Sequence, residues 1–399
     1  HNYNKKEAIM ALNRRTLLKT GAALTAASMA PGIVRAEGAH WRVAASLPMT
    51  GPFATAGQLV APAFSEFEQQ VNDNGGIGGK PIRVEVADSG YIPRNALANF
   101  QRAQAAGDLH FYYGDSTGFM ELVGPTLTGE NAVMMGSTSF ASALSNPANR
   151  PYQFMAGPTY EDQFEILLRD IANKGGKTVA FVYSDTEFGR DPIEHGRQVA
   201  AELGIDVVLE EVTRAEGADI ENHVTKLAQA NPEYTILQGY VTGVWPQLIG
   251  GARAFGLTTQ FMGTFWGMEK IIADRVTEQA GPFLDGYQGV MPYRYFYDQD
   301  DAPFYQELGA FKRSINPGFS GYVTAWELEG RLCLELWKLC MERVIEADKE
   351  VTPDNLMAEL GAIRNWDSGG FFGAPVDVVD NKIGQGRVYR YDAETRLYN

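Results

Sequence analysis

Residues 114–118 read GDSTG and place Ser116 in the pattern G-x-S-x-G. The pentapeptide follows a run of strand type and precedes a helical pattern, which is the context of the nucleophile in one class of serine hydrolases. Such a hydrolase needs an acid and then a histidine further along the chain, and only His195 and His223 follow. Both histidines fall inside predicted amphipathic helices, so we favour a second interpretation in which Ser116 and the helix start present hydrogen-bond donors to a ligand. A secreted serine hydrolase that uses Ser116 remains the alternative.

The sequence offers little for metal or redox chemistry. It contains five histidines and two cysteines and lacks the H-E-x-x-H and C-x-x-C motifs, so we expect no metal and no cofactor. Cys333 and Cys340 share one long helical pattern, which puts them about 10.5 Å apart along the helix axis and too far apart for a disulfide. We expect both to be reduced core residues.

The N-terminus has the parts of an export signal. Arg14 and Arg15 precede a short, weakly apolar run and a small-residue cleavage site that ends at Ala36. This pattern predicts a twin-arginine signal over residues 1–36, cleaved after Ala36, with residues 1–9 as an upstream extension if Met10 is the true start. We therefore expect a periplasmic protein. Because no cysteine lies in or just after the signal, we expect no lipid anchor and a freely diffusing protein, and we expect it to be a monomer.

Charge and size narrow the class of protein further. With 399 residues, 45% of them hydrophobic, the chain is long enough for two domains of ordinary size. Cleavage after Ala36 would change the net charge from −15 to −20, because the signal carries six basic residues and one acidic residue. A surface this acidic repels nucleic acid and anionic membranes, so neither is an expected partner.

From residue 41 onward, runs of strand length alternate with amphipathic runs of helix length. This alternation predicts an α/β fold with parallel sheets covered by helices on both faces. The strand candidates are residues 82–87, 109–113, 132–135, 178–183, 206–211 and 234–238, and the helix candidates are residues 94–106, 161–173, 193–203, 220–230 and 245–255. The order of elements predicts two lobes: residues 41–156 plus 286–365 form lobe 1, and residues 157–285 plus 366–399 form lobe 2. Three crossovers between the lobes would act as a hinge around a cleft.

Three segments carry a family resemblance. Residues 46–89 read as strand, loop, helix, glycine-rich turn and strand, and the loop 49–57 lies where open α/β sheets hold ligands. The other two segments are residues 182–189 (VYSDTEFG) and 252–263 (ARAFGLTTQFMG). With all three segments in this order and spacing, the chain resembles type I periplasmic substrate-binding proteins of the branched-chain amino-acid receptor group. The resemblance implies the two-lobed fold of that family, a small-molecule ligand and the membrane permease of an ABC importer as partner.

The resemblance also implies positions for the ligand-binding residues. The family's serine corresponds to Ser116, its aromatic residue to Phe188 and its tyrosine to Tyr240. The family's threonine position falls on Phe140, and its glutamate position falls on Phe265. The expected ligand-binding set is Phe53, Asp115, Ser116, Thr138, Phe140, Phe188, Tyr240, Phe265 and Trp266.

The two departures change the expected ligand. Without the glutamate, a buried α-ammonium group loses its partner, which is costly. Aromatic walls suit a hydrophobic or aromatic acid or amide and could also cage a quaternary amine, and Ala56 enlarges the pocket where relatives often carry an aromatic residue. Asp115 keeps an amino acid open as a ligand. We therefore expect a non-enzymatic solute-binding receptor of an ABC importer, with a ligand-sensing receptor module as a further alternative.

Overall fold

Two β-sheets with flanking helices form the core of the two lobes; the first sheet is parallel, and the second is parallel except for its last two strands in sequence. The computed structural model describes residues 40–215, 217, 219–298 and 301–399, so the predicted export signal lies outside the described residues. We call the part built on the first sheet lobe 1 and the part built on the second sheet lobe 2. No helix in the described ranges is long and apolar enough to cross a membrane.

Lobe 1 begins with five strands and four helices. The strands are β1 (Trp41–Leu47), β2 (Ile82–Asp88), β3 (Leu109–Gly114), β4 (Met135–Ser137) and β5 (Gln153–Met155), and the helices are α1 (Ala54–Val60), α2 (Pro62–Asp73), α3 (Pro93–Ala105) and α4 (Thr117–Val123). All five strands run parallel in the order β2-β1-β3-β4-β5. The predicted strand at residues 132–135 forms instead at 135–137, because residues 129–131 form a turn of 3₁₀ helix just before it.

The chain then crosses to lobe 2 at the helix α5. The elements of this stretch are α5 (Tyr160–Asn173), β6 (Thr178–Ser184), α6 (Glu187–Arg190), α7 (Ile193–Glu202), β7 (Asp206–Thr213), α8 (Ile220–Ala230), β8 (Tyr234–Gln238), α9 (Val244–Ala254), β9 (Gln260–Gly263), α10 (Lys270–Ala280) and β10 (Gln288–Met291). Helix α5 starts at a capping box, in which Thr159 Oγ1 accepts from the Asp162 amide at 3.0 Å and Asp162 Oδ2 accepts from the Thr159 amide at 2.9 Å. This reciprocal cap fixes where the crossover ends and the helix begins.

The last part of the chain crosses twice more. Helices α11 (Pro303–Ile315), α12 (Ala325–Glu346) and α13 (Pro353–Gly361) come first, and strands β11 (Arg387–Asp392) and β12 (Leu397–Tyr398) close the chain. Helix α12 packs on α1, α2 and β4 of lobe 1, whereas β11 pairs antiparallel with β10 in the second sheet. Cys333 and Cys340 are buried on α12 and both thiols are free.

The two sheets repeat one strand order. The second sheet has the order β12-β11-β10-β9-β8-β6-β7, so its first five strands in sequence lie in the same order as those of the first sheet. Strand β10 is the counterpart of β5 and pairs in parallel with β9. The assignment of residues 286–291 to lobe 1 is therefore wrong, since each lobe completes its fifth strand before the chain crosses.

Candidate functional site

A cavity lies between the carboxyl ends of the strands of both sheets. Its empty space is about 490 Å³, including the part that opens to solvent. The loops after β1, β2, β3 and β4 supply one side, and the loops after β6, β8 and β9 supply the other. The lining residues are Leu47, Pro48, Phe53, Ala56, Gly57, Val60, Tyr91, Asp115, Ser116, Thr117, Thr138, Ser139, Tyr160, Phe188, Val241 and Trp266. The cavity thus occupies the switch point where ligands bind in open α/β sheets.

Polar groups of the lining are concentrated after β3 and β4. Thr138 Oγ1 donates to the Gly114 carbonyl at 3.0 Å, and Thr117 Oγ1 lies 2.7 Å from Ser139 Oγ. Ser116 Oγ accepts from the Phe119 amide at 3.3 Å and so caps the start of α4. Parallel strands β3 and β4 are neighbours, which brings these hydroxyl groups to one corner of the cavity.

Asp115 is the only Asp, Glu, Lys, Arg or His among the lining residues that the structure describes. One carboxylate oxygen, Oδ2, accepts from the Ser89 hydroxyl, whereas Oδ1 is buried without a hydrogen-bond partner in the described ranges. Burial raises the pKa of Asp115 to about 6, although the hydrogen bond from Ser89 acts in the opposite direction. The carboxyl group therefore changes its charge close to neutral pH.

Aromatic rings from both lobes form much of the remaining lining. The Phe53 ring centroid lies 4.2 Å from that of Tyr91 and 6.1 Å from that of Phe188, which contacts Tyr160 at 5.0 Å. The Trp266 indole nitrogen donates to the Tyr160 hydroxyl at 3.1 Å and so satisfies its only donor. These rings give the site a large apolar surface with fixed orientations.

Three residues of the expected set do not line the cavity. Phe140 and Phe265 are fully buried behind it, with ring centroids 5.4 Å apart. Tyr240 stacks on Phe53 at 5.3 Å, and its hydroxyl donates to Asp185 Oδ1 at 2.8 Å. The other six residues, Phe53, Asp115, Ser116, Thr138, Phe188 and Trp266, are brought together around the cavity, as is Ala56.

Two backbone features position aromatic side chains of the lining. Gly189 lies so close to β6 that a Cβ atom there would be 2.2 Å from the Ser184 carbonyl oxygen. The absence of a side chain at this position lets α6, which carries Phe188, pack directly against the end of β6. Tyr91 has a φ of 62°, a left-handed conformation that is costly for a bulky residue. This turn places the Tyr91 ring against Phe53, just beyond the C-terminal end of β2.

Several lining residues were missed in the sequence. Tyr91 follows the end of β2 and could have been found by applying the strand-end rule to that strand as well as to β1 and β3. Tyr160 begins the crossover helix α5, and Val241 follows Tyr240 after β8. Neither has a sequence signal of its own, because an aromatic or aliphatic residue at an element boundary is also typical of core packing.

The two histidines after Ser116 lie elsewhere. His195 is 3.5 Å from Glu165, and His223 Nδ1 is 2.7 Å from Glu211. Neither lines the cavity, and the Ser116 hydroxyl is engaged as a helix cap. The described residues also contain no group of three His, Cys, Asp or Glu that could hold a metal ion. The arrangement provides a ligand cavity rather than a nucleophile with its base.

Direct contacts across the cleft hold the two lobes together. Ser142 of lobe 1 donates to Asp191 of lobe 2 from its amide at 3.2 Å and from its hydroxyl at 3.0 Å. Burial raises the pKa of Asp191 to about 7. Stacking of Phe53 on Tyr240 adds an apolar contact between the lobes. The structure therefore has the cleft closed.

The chain matches known proteins over most of its length. A family model described as periplasmic binding protein matches residues 40–393. A curated relative, the leucine-, isoleucine-, valine-, threonine- and alanine-binding protein of Pseudomonas aeruginosa, is 22% identical over 342 residues, which cover 82% of this chain and 88% of the relative.

Solved structures show the same fold. A branched-chain amino-acid ABC transporter protein from Thermus thermophilus with bound valine has a TM-score of 0.80 at 20% identity, covering 90% of this chain and 95% of the other. A fatty acid ABC transporter substrate-binding protein from Thermomonospora curvata has a TM-score of 0.75 at 18% identity, covering 89% of each chain.

Proposed function

The chain belongs to the periplasmic binding protein family, and from this membership we propose that it is an exported receptor that delivers a small solute to the permease of an ABC importer. The observation that carries the proposal is the cavity between the lobes. Its lining comes from both sheets, so a bound ligand would contact both lobes and favour the closed form over an open one. A monomer released into the periplasm after cleavage at Ala36 would serve this role.

The composition of the cavity supports a ligand with an apolar body and one polar end. Relatives with this fold are named for different ligands, branched-chain amino acids in one case and fatty acids in another, so the fold alone does not select one. We propose that Phe53, Phe188 and Trp266 cover the apolar body of an amino-acid-like, hydrophobic or aromatic ligand. Ser116 and Thr138 then orient its polar end, and burial of the apolar body supplies most of the affinity.

Phe140, Tyr240 and Phe265 have a supporting role in this proposal. Phe265 contacts both Phe140 and Trp266, and Tyr240 stacks on Phe53. Phe265 therefore helps to fix the position of Trp266, Phe140 packs behind Phe265, and Tyr240 helps to fix the position of Phe53. The shape of the site depends on this second layer, because close-packed interiors transmit small displacements.

The experiment for this proposal is the identification of the ligand that co-purifies with the protein. Mass spectrometry after acid or solvent extraction should reveal a stoichiometric small molecule with an apolar body. When that molecule is added back to refolded, ligand-free protein at about 100 times its Kd, it should stabilise the folded state by about 2.7 kcal/mol.

A hydrolase would give a different result. Hydrolysis of a small ester by the wild-type protein that disappears in Ser116→Ala would support the serine hydrolase instead. Absence of a co-purified molecule, together with no thermal shift from amino acids, aromatic acids or amides, would contradict the receptor proposal.

A further inference from the structure

One acceptor atom at the cavity has no partner. Asp115 Oδ2 accepts from the Ser89 hydroxyl, but Oδ1 is buried and unbonded among the described residues. Asp115 is only 4% exposed as a residue, and it lines the cavity. A buried acceptor without a donor is unfavourable, so a donor on the ligand would gain more at this atom than at an exposed one.

The lining contains no charge that could balance Asp115. None of the described lining residues is Lys, Arg or His. An acidic residue outside the lining also acts on Asp115 through its charge: the negative charge of Asp88 raises the pKa of Asp115 further. A ligand whose only charged group is a carboxylate would therefore enter a cavity with a negative group and no cationic partner, which is costly at low dielectric.

The remainder of the wall also favours a positive charge. Phe53, Tyr91, Phe188 and Trp266 line the same cavity as Asp115. The faces of aromatic rings carry negative electrostatic potential and attract ammonium groups, most strongly when water is excluded. The Asp115 carboxylate and the aromatic rings thus both favour a ligand that carries an ammonium group.

We propose that the ligand carries a protonated amine, and that Asp115 Oδ1 accepts a hydrogen bond from it while the aromatic rings cover the rest of the molecule. This inference rests on the proposed function and specifies its ligand class. The carboxylate that holds the amine is supplied by lobe 1, directly after β3. The position in lobe 2 where the family resemblance places a glutamate is Phe265, which lies behind the cavity.

The test uses matched probes that differ only in their polar end. Binding of 2-phenylethylamine, phenylacetamide and phenylacetate, and of the corresponding isobutyl amine, amide and acid, is measured by calorimetry on ligand-free full-length protein at pH 8. We expect the amine of the better-fitting series to bind about tenfold or more tighter than its amide and its acid.

Variants assign the effect to one atom pair. Asp115→Asn should weaken amine binding about tenfold or more and leave amide binding within about twofold. Asp88→Asn removes the same charge from an exposed residue at the end of β2, where the Thr50 hydroxyl donates to it, and should leave the preference for the amine intact. Circular dichroism of each variant confirms that it is folded.

The outcomes separate the two claims. Tighter binding of the acid or the amide than of the amine by the wild-type protein would overturn the role of Asp115 and leave the receptor function standing. This ranking needs no variant, so it decides the question even if Asp115→Asn fails to fold. Failure of all six probes, together with the absence of any co-purified small molecule, would contradict the receptor function itself.

Discussion

Phe265 and Trp266 are neighbours in the sequence with different positions at the site. Trp266 lines the cavity, whereas Phe265 is fully buried against Phe140 and Tyr293. The family alignment could place both residues near the cleft because they follow the end of β9. It could not tell which side chain points into the cavity, because the short 3₁₀ helix 265–267 turns consecutive side chains in different directions. Six of the nine predicted site residues reach the lining, and each directly follows a strand or lies in a loop or short helix after one.

Replacing Phe265 with a charged residue should damage the fold. Phe265→Glu would bury a carboxylate among aromatic rings, so we expect the free energy of unfolding to fall by about 3 kcal/mol or more. Phe265→Leu removes the ring without adding a charge and should cost clearly less. Urea denaturation of both variants measures the difference. A stable Phe265→Glu protein with improved binding of an amino acid would instead put Phe265 in the cavity.

Glu329 should make stability depend on pH. This residue of α12 is fully buried, and burial raises its pKa to about 8, even though the Tyr113 hydroxyl donates to it. In the unfolded chain the Glu329 carboxyl loses its proton near pH 4.5, whereas in the folded protein it keeps the proton up to about pH 8. The free energy of unfolding therefore falls as the pH rises from 4.5 toward 8.

Glu329→Gln keeps the shape and removes the titration. The free energy of unfolding should fall between pH 6 and pH 8 in the wild-type protein, and this fall should be about 2 kcal/mol smaller in the variant. Urea denaturation at the two pH values measures both slopes. Identical slopes in the two proteins would mean that Glu329 titrates near its ordinary pKa.

At the scale of single elements, periodicity located the long, regular segments well. Helix α8 and strand β8 have the boundaries that the sequence predicts, because their apolar faces and flanking polar turns are unambiguous. Short elements were harder: α6 has only four residues and β4 and β5 have three each, too few to establish a period. Strand β10 was assigned to the wrong lobe, since a strand of four residues carries no information about which sheet it joins.

The short helix α6 depends on the glycine that follows Phe188. A methyl group at position 189 would clash with the Ser184 backbone, so Gly189→Ala should push α6 away from β6 and displace the Phe188 ring. We expect ligand affinity to fall about tenfold or more, with a stability loss of about 1–3 kcal/mol. Gly243→Ala is the matched control, because nothing lies within 4 Å of the added atom. Calorimetry with the co-purified ligand measures both variants, and equal affinities would contradict this role of α6.

At the scale of the whole molecule, two lobes of the same strand order face each other with their carboxyl strand ends. This arrangement follows from the alternation of strands and helices and from the resemblance, and both were readable in the sequence. The contact between Ser142 and Asp191 across the cleft could not be predicted from the sequence, because the two residues lie 49 positions apart in regions without a motif. We expect closure to depend on such contacts as well as on the ligand.

Weakening the contact between the lobes should lower affinity without touching the cavity. Ser142→Ala removes the hydroxyl that donates to Asp191 at 3.0 Å, at an expected cost of about 1 kcal/mol in the closed form, or about fivefold in Kd. Ser145→Ala is the control, since the Ser145 hydroxyl donates to the Ser142 carbonyl within the 3₁₀ helix Ser142–Ser145 and not to lobe 2. Titration calorimetry with the co-purified ligand compares the two. Equal affinities would mean that this contact does not contribute to closure.

A small molecule held by both lobes should keep the cleft closed. Small-angle X-ray scattering of the purified protein, with and without its co-purified ligand, measures this closure. We expect a smaller radius of gyration with ligand, saturating at one ligand per chain, because only a ligand in contact with both lobes shifts the population to the closed form. A radius of gyration that stays unchanged while the ligand binds at full stoichiometry would contradict this expectation.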